Sequence, residues 1–262
     1  MYLKPVLTIA GSDSSGGAGI QADIKTMLAN DVYAMAVITT MTAQNTQGVL
    51  PNGFLDSTPD FLAAQLDAVF EDIPPAAVKV GMVSTVDIVD VVAEKLRQYG
   101  AKNIVVDPVM VATSGDKLVY DNAITEMEAK LFPLAILLTP NKHELEVLTG
   151  DQVTDNNSMT EAAKKLYEKY GCAILATGGA EATDLLYDGN GVRWFRGKKV
   201  DTKNTHGTGC TLSSAIAANL AKGQALGDAI SNAKRYVTGA LSAGLSLGKG
   251  NGPLDHGYNL RK

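Results

Sequence analysis

The chain has 262 residues, which is enough for one large α/β domain or two small ones. Hydrophobic residues make up 45% of it and charged residues only 19%, so a sizeable buried core can form. The net charge of −5, without a basic stripe, argues against nucleic acid as a partner, and no apolar stretch reaches the ~20 residues that span a bilayer.

Cysteine usage indicates a reducing compartment. The two cysteines, Cys172 and Cys210, are too few for a disulfide framework. The N-terminal apolar run reaches a Gly-Ser-Asp turn at 11–13, too early for a signal peptide. We therefore expect a soluble cytoplasmic protein.

Strands and helices alternate along most of the chain. Short apolar runs predict strands at 5–11, 34–40, 77–83, 103–111, 135–141 and 172–177. Apolar residues at helical spacing predict a helix through Ile20, Ile24 and Leu28, a second over 61–72, and a third through Ile88, Val92 and Leu96 that ends at Gly100. A fourth helix is predicted to begin at a capping box of Ser158 and Glu161 and to end near Gly171. A turn at 188–191 predicts a hairpin over 185–195, and two final helices begin near Thr208 and Leu226.

This pattern predicts a mostly parallel sheet with helices on both faces and a small antiparallel hairpin. No linker or repeat interrupts it, so a single domain over 1–262 is expected. Ligands of such sheets bind beyond the carboxyl ends of the strands. The loops to consider are therefore 11–19, 41–48, 81–85, 107–116, 139–144 and 177–182.

The glycine-rich stretch 11–23 fits neither common nucleotide loop. It lacks the Gly-Lys-Ser/Thr of a Walker A loop. Gly17, Gly19 and Ala22 match a loose dinucleotide pattern, but Gly11 holds the end of the first strand, where the first glycine of that pattern belongs. Two interpretations remain open: a flexible turn, or a loop whose backbone lets a compact polar ligand approach closely.

The stretch 204–223, "NTHGTGCTLSSAIAANLAKG", joins a polar turn to an apolar helix. Gly207, Thr208 and Gly209 directly precede that helix, whose free N–H groups and partial positive charge suit a phosphate or a transition-state anion. Cys210 lies in the same field, which is expected to lower its pKa. It could equally be a small residue that fills the first turn.

Two carboxylates follow predicted strands. Asp107 ends "IVVD", and Glu144 lies in "TPNKHELE". Carboxylates in such places can hold Mg²⁺ against nucleotide phosphates, often through water. Glu144 could instead complement the dipole of a helix N-terminus.

Six motifs, in register from about residue 5 to 255, resemble hydroxymethylpyrimidine/phosphomethylpyrimidine kinases, a thiamine-biosynthesis family of the ribokinase-like superfamily. They are "AGSDSSGGAGIQADIKT", "TAQNTQGV", "KVGMV", "DPVMVATSGDKL", "TPNKHELEVLTG" and "THGTGCTLSSAIAANLAKG". The resemblance implies a three-layer α/β/α ribokinase-like sandwich, usually in a homodimer. It implies Mg-ATP as donor, with 4-amino-5-hydroxymethyl-2-methylpyrimidine and then its monophosphate as acceptors.

The resemblance also assigns site residues. Gln44 would hydrogen-bond the pyrimidine, because an amide pairs with a ring nitrogen and an amine at once, although it could be a plain polar loop residue. The walls of the same pocket would be Gly11, Ala18, Asp23, Met82 and Val109. Phosphoryl transfer would involve Gly207, Thr208, Gly209 and Cys210, with Asp107 and Glu144 at the metal.

The nucleotide side departs from the family pattern. Thr177-Gly178-Gly179-Ala180 stands where Lys-Gly-Gly-His is frequent, and Thr113 replaces a frequent lysine. Nucleotide contacts would then fall to Thr177, Gly179 and Lys234, although Lys234 could be a surface lysine.

At Cys210 the wider superfamily usually has an aspartate that removes the acceptor proton. A loose phosphoryl-transfer transition state demands little of such a base, so positioning should carry most of the catalysis.

Three other functions compete. A pyridoxal or pyridoxine kinase, alone or as a second activity, fits the same motifs, because both substrates are aza-aromatic rings with a hydroxymethyl group. A cysteine hydrolase could use His206 and Cys210, but no residue to orient the histidine is evident in the sequence. A vitamin-binding module without catalysis would not need Asp107 and Glu144.

Overall fold

The computed structural model describes residues 3–111, 118–179 and 182–261. Nine strands form one sheet in the order β3-β2-β1-β4-β5-β6-β7-β8-β9. The strands are β1 Pro5–Asp13, β2 Tyr33–Asn45, β3 Gly48–Asp56, β4 Ala77–Val80, β5 Ile104–Val106, β6 Leu137–Leu138, β7 Ala173–Gly179, β8 Thr183–Tyr187 and β9 Val192–Arg196.

The six central strands, β2 to β7 in sheet order, are parallel, and both edges are antiparallel. The hairpin of β8 and β9 confirms the sequence prediction. The other edge differs, because β2 runs on to Asn45 and pairs with β3 where a loop was predicted over 41–48. The apolar residues of β3 form two pairs separated by Pro51-Asn52-Gly53, so the stretch lacks the continuous or alternating apolar pattern that predicts a strand.

Eight α-helices cover the two faces of the sheet over the described residues. They are α1 Gly19–Ala29, α2 Pro59–Asp72, α3 Val86–Gln98, α4 Asp121–Glu126, α5 Lys142–Thr149, α6 Asn156–Tyr170, α7 Thr208–Ala221 and α8 Leu226–Ser242. A π-turn Met127–Leu131 and a 3₁₀ turn Phe132–Leu134 continue α4. Along β1 the side chains alternate, so that Leu7 and Ile9 join the core under α2, α3 and α6, while Val6 joins the core under α1, α7 and α8. The predicted three-layer arrangement is confirmed.

Two local predictions are wrong in detail. Helix α6 begins with Asp155 as its N-cap and Ser158 in its first turn, so the capping box joins these two residues and not Ser158 and Glu161. Helix α1 forms as predicted, but Ile24 and Leu28 are exposed and its buried face carries Asp23 and Met27 instead. The apolar spacing indicated the helix but not the face that it buries.

Helix α7 is buried along nearly its whole length. Every side chain from Thr211 to Ala221 is buried, and the many alanines and serines let the helix lie close to the sheet and to its neighbours. Its first turn therefore has a fixed position at the carboxyl ends of the strands. Within the described part of the chain, no helix is both long and apolar enough to cross a membrane.

Candidate active site

A cavity of about 190 Å³ opens at the carboxyl ends of the central strands. The starts of α1 and α7, the end of β2 and the residues after β4, β5 and β6 surround it. Predicted site residues in its wall are Gly11, Ala18, Gln44, Met82, Asp107, Val109, Glu144, Gly207, Thr208, Gly209 and Cys210. The fold thus brings together eleven residues that lie up to 199 positions apart in the chain.

The first turn of α7 is shaped by a glycine that no other residue could replace without strain. Gly207, the N-cap, has φ +83°, and a Cβ on it would lie 2.0 Å from the main-chain oxygen of Gly17. The first intrahelical bond runs from Thr211 N to Gly207 O at 2.9 Å. The N–H groups of Gly209 and Cys210 therefore have no acceptor within the helix, and they are available to an anion in the cavity.

Asp13 organises the glycine-rich loop. Its carboxylate accepts hydrogen bonds from the N–H groups of Ser15, Gly17 and Ala18 at 2.8–3.0 Å, and from Nε2 of His206 at 2.8 Å. Burial raises the pKa of Asp13, but these bonds outweigh it and hold the pKa below its usual value. Asp13 was not among the predicted site residues, although an aspartate commonly forms a turn in which its carboxylate accepts from the N–H two residues later, here that of Ser15.

The contact of His206 with Asp13 also bears on the hydrolase alternative. The ring nitrogen Nε2 is engaged by a carboxylate across 193 residues of sequence, and the side chain is buried. His206 therefore ties the loop before α7 to the loop before α1. It joins the two glycine-rich turns, and among the described residues the hydrogen-bond partner of its side chain is Asp13 and not Cys210.

Cys210 is half-buried in the cavity wall, and the N–H of Gly19 at the start of α1 faces its sulfur. The prediction that the helix terminus lowers its pKa is wrong. Removal from water raises the pKa of the Cys210 thiol to about 12. The nearby positive charge of Lys79 lowers this pKa only in part, and the negative charges of Asp23 and Asp107 raise it further. The thiol is thus neutral at physiological pH in the absence of a ligand. Burial likewise raises the pKa of Cys172, a core residue, to about 12.

Asp23 does not line the cavity. It is fully buried, and its carboxylate accepts bonds from Lys79 Nζ at 2.9 and 3.1 Å, from Thr8 at 2.6 Å and from Ser214 at 2.6 Å. Lys79 is also fully buried, and the charge of Asp23 holds its pKa above the usual value in spite of desolvation. The motif "KVGMV" contains Lys79, but a lysine on a predicted buried strand does not indicate which carboxylate it pairs with. The pair lies behind the wall that Cys210 and Asp107 form.

Asp107 and Glu144 are both in the wall and nearly inaccessible to solvent. Ser213 donates to Asp107 Oδ2 at 3.1 Å. Glu144 forms the capping box of α5 with Asn141, as expected of a carboxylate at a helix N-terminus, and it also accepts from the N–H of Met110 at 3.4 Å. Desolvation raises the pKa of Asp107 to about 6 although Lys79 lowers it, and desolvation with the charge of Asp107 raises the pKa of Glu144 to about 8.

One side of the cavity holds Gln44 and an apolar wall. Gln44 lies near the end of β2, while Met82 and Val109 follow β4 and β5. A Cβ on Gly11 would lie 2.6 Å from Cε of Met82, so the glycine leaves space for that side chain. A flat ring could therefore rest between Met82 and Val109 with Gln44 at its polar edge.

The predicted nucleotide residues lie outside the cavity. Thr177 and Gly179 end β7, and Gly178 N donates to Asp184 at 3.1 Å. Lys234 on α8 is paired with the same Asp184 and lines a separate groove with Trp194, Arg196 and Arg235. Asp184 thus joins the two predicted nucleotide elements. Thr113 and Ala180 lie outside the described residues.

Taken together, the sheet, the α7 terminus with its free N–H groups and the two carboxylates define a ribokinase-like kinase that acts on a small molecule. Solved structures agree with this fold. An ADP complex of Bacillus subtilis pyridoxal kinase matches with TM-score 0.91 and 37% identity over 100% of both chains. A phosphomethylpyrimidine kinase from Clostridium difficile matches with TM-score 0.80 and 42% identity over 90% of this chain and 98% of that one.

Sequence comparison gives the family. The family model "Phosphomethylpyrimidine kinase" matches residues 13–255. A hydroxymethylpyrimidine/phosphomethylpyrimidine kinase of Rhizobium meliloti is 47% identical over 95% of this chain and 96% of that protein. The thiamine biosynthesis bifunctional protein ThiED of Geobacter sulfurreducens is also 47% identical, over 96% of this chain, which spans about half of that longer protein (52%). The chain belongs to the phosphomethylpyrimidine kinase family, as its motifs predicted.

Proposed function

We propose that this kinase transfers the γ-phosphoryl group of ATP to the hydroxymethyl group of 4-amino-5-hydroxymethyl-2-methylpyrimidine, and a second phosphoryl group to the resulting monophosphate. The observation that supports this best is the meeting, in one cavity, of Gln44, the first turn of α7 and the pair Asp107 and Glu144. A ring bound at Gln44 would direct its substituent towards the free N–H groups of that turn. The proposed reaction serves thiamine biosynthesis, in agreement with the names of the relatives.

The chain's own residues would act mainly by positioning. The N–H groups of Gly209 and Cys210 would hold the oxygens of the phosphoryl group as its charge develops, and this support is already in place before the reaction. A neutral thiol is not a base, so Cys210 could take the proton of the acceptor hydroxyl only as its thiolate, a form that its raised pKa makes scarce at neutral pH. In the second step the acceptor is already a phosphate, so this proton transfer has no counterpart.

The residues present fit Mg²⁺ as a cofactor. Burial disfavours the charge of both Asp107 and Glu144, and the charge of Asp107 adds to this effect at Glu144, so a divalent cation bound there would stabilise both carboxylates. Over the described residues, no group of three or more His, Cys, Asp or Glu side chains could hold a metal ion. Phosphate oxygens and water would therefore supply the remaining ligands, and the ion would neutralise charge on the phosphates.

We assign the nucleotide to the surface that continues from the cavity past β7. Thr177 and Gly179 at the end of that strand, and Lys234 held by Asp184, would contact it. Because Thr177 carries no charge, phosphate neutralisation there would depend more on Mg²⁺ than in relatives with a lysine.

A second activity on pyridoxal or pyridoxine is supported by one observation. The fold superimposes on an ADP complex of a pyridoxal kinase with TM-score 0.91, and 37% of the aligned residues are identical. The cavity of about 190 Å³ has room for a single substituted ring of either kind.

We further propose a homodimer of single-domain subunits in the cytoplasm. Large apolar side chains are exposed on the arm of β2 and β3 and on the start of α2: Met41, Leu50, Phe54, Leu55 and Phe61. Such a patch is typical of an interface. Light scattering after size-exclusion chromatography should give a dimer for the native chain and a monomer for a variant with Leu55→Glu, since Leu55 is the most exposed of the large apolar side chains of β2 and β3.

The decisive experiment is a transfer assay with Mg-ATP and each ring, read by mass spectrometry for one or two added phosphates. We expect two additions to the aminopyrimidine. Gln44→Ala should raise the KM for the ring by about tenfold, as loss of one or two hydrogen bonds implies, with the KM for ATP unchanged. ATP turnover without a phosphorylated ring, or an effect of Gln44→Ala on ATP alone, would contradict the proposal.

A further inference from the structure

Two hydroxyl groups hold Gln44 in place. The Ser14 hydroxyl accepts from the backbone N–H of Gln44 at 2.9 Å and donates to its backbone oxygen at 2.8 Å. Thr42, two residues earlier on β2, is buried, and its Oγ1 lies 3.1 Å from the terminal amide of Gln44 at Oε1. Ser14 therefore fixes the backbone of Gln44, and Thr42 is the group that can fix the orientation of its side-chain amide.

The Thr42 hydroxyl has one proton and two neighbours that could accept it. Its Oγ1 is 2.8 Å from the backbone oxygen of Ser12 and 3.1 Å from the amide atom of Gln44. The Ser12 oxygen can only accept, and 2.8 Å is the usual O–H···O length. A separation of 3.1 Å is long for O–H···O but lies within the usual N–H···O range. The proton therefore belongs to Ser12.

It follows that the amide group of Gln44 is the donor to Thr42. An amide turned by 180° has nearly the same shape, with its NH₂ and its carbonyl oxygen exchanged. In that orientation one N–H of Gln44 bonds Thr42. The carbonyl oxygen and the second N–H then remain for a ligand in the cavity.

We propose that Thr42 is a positioning residue that orients the Gln44 amide with its carbonyl oxygen towards the cavity, and thereby selects rings that carry an amino group next to a ring nitrogen. The inference rests on the proposed function, since it concerns which ring that site accepts. It adds a determinant of specificity that does not itself need to touch the ring.

The chemistry of the two candidate rings explains the selection. In the aminopyrimidine the 4-amino group donates and the adjacent ring nitrogen accepts, which matches the oxygen and the free N–H of the amide. Pyridoxine has a ring hydroxyl with no adjacent ring nitrogen, so at most one of these bonds can form. A polar group left unpaired in a site of this kind lowers affinity more than a missing contact does.

The test compares Thr42→Val, which keeps the shape and removes the hydroxyl, with Thr42→Ser, which keeps the hydroxyl. The substrates are the aminopyrimidine, its 4-methoxy analogue, which can only accept, and pyridoxine, each with Mg-ATP. Thr39→Val is the matched control, because Thr39 lies on the same strand and is also buried. Its hydroxyl donates to the backbone oxygen of Met82. Thermal unfolding of each variant establishes that it is folded.

For Thr42→Val we expect the KM for the aminopyrimidine to rise about tenfold with kcat changed less than about threefold, because the amide can then turn either way. The preference for the amino over the methoxy ring should fall by about the same factor, while kcat/KM for pyridoxine stays level or rises. Thr42→Ser should behave like the native enzyme, and Thr39→Val should leave the ratio of the rings unchanged.

The proposal would be overturned if Thr42→Val lowered kcat/KM equally for all three rings, or if Thr42→Ser had the same kinetic effects as Thr42→Val. The role of Thr42 can be tested separately from the proposed function by calorimetry, which measures the affinities of the native and Thr42→Val proteins for the amino and methoxy rings. If no ring is phosphorylated, the proposed function fails, and the binding ratio still decides the role of Thr42. A ratio that does not respond to Thr42→Val rejects that role.

Discussion

Lys79 and Asp23 form a fully buried ion pair beneath the first turn of α7, with 2.9 Å between Nζ and Oδ2. Ser214 of α7 and Thr8 of β1 donate to the same carboxylate at 2.6 Å. The pair therefore joins α1, α7, β1 and β4 at one point. It also places a fixed positive charge close to Asp107 and Cys210 in the cavity wall.

The structure predicts a large loss of stability when one partner of this pair is removed. Lys79→Met leaves the Asp23 carboxylate buried without its countercharge, and we expect the free energy of unfolding to fall by about 3–5 kcal/mol. The double variant Lys79→Met, Asp23→Leu should recover most of this loss. Urea unfolding measures both, and a single variant that loses less than about 1 kcal/mol would contradict the buried pair.

Two glycines with the same backbone conformation give a test of the α7 terminus. Gly207 and Gly223 both have φ +83°, but a Cβ would meet Gly17 O at 2.0 Å in the first and no atom within 4 Å in the second. Gly223→Ala should cost about 1–2 kcal/mol through backbone strain alone. Gly207→Ala should cost about 1–3 kcal/mol more, and it should remove most kinase activity because the N–H groups of the turn move. Equal stability of the two variants in thermal unfolding would show that the close approach to Gly17 is not present.

The raised pKa values of Asp107 and Glu144 predict a pH-dependent stability. Desolvation is the main cause, and it makes both groups hold protons more tightly in the folded chain, with pKa values of about 6 and about 8. The stabilisation is therefore complete below pH ~4 and is lost as pH rises through these two values. Without Mg²⁺, the Tm should decrease as the pH is raised from 5 to 8.5. The decrease should be smaller in Glu144→Gln.

Mg²⁺ with ADP should reverse that loss and raise the Tm more at pH 8.5 than at pH 5, because the ion binds the ionised carboxylates. Glu161→Gln provides the control, since Glu161 is exposed and its ion-pair partner on the same helix is Lys164. A Tm of the metal-free protein that rises from pH 5 to 8.5, or a larger effect of Mg²⁺ at pH 5, would contradict the assignment.

Cys210→Ser should separate the two phosphoryl transfers. A serine hydroxyl ionises far less readily than a thiol, so the variant has no thiolate to take a proton, and only the first transfer has an acceptor proton to remove. We therefore expect kcat for the first step to fall about 100-fold and for the second less than about tenfold. Single-turnover measurements with the ring and with its monophosphate give the two values. Equal losses would mean that Cys210 acts only through its place in the first turn.

Sequence reasoning reached most of the cavity because its signals are local. The glycines before α7, the carboxylates after β5 and β6, and Gln44 in a resembling motif all lie in the cavity as predicted. The pKa of Cys210 was predicted in the wrong direction, because the dipole of a helix terminus is visible in sequence while desolvation depends on the packed surroundings. Asp23 was placed in the cavity wall by resemblance, and its burial with Lys79 shows a structural role instead.

The amino-acid sequence by itself determined the alternation of strands and helices, the three layers and the family, since apolar period, turn residues and contiguous motifs are properties of short stretches of chain. Only the tertiary structure decided the partners of polar groups far apart in the chain: His206 with Asp13, Lys79 with Asp23, and Lys234 with Asp184. It also decided the pairing of β3, whose apolar residues are interrupted by Pro51-Asn52-Gly53 and do not alternate along the strand. The physical reason is that such pairings arise from which surfaces the packed sheet and helices bring together, and no local spacing encodes that choice.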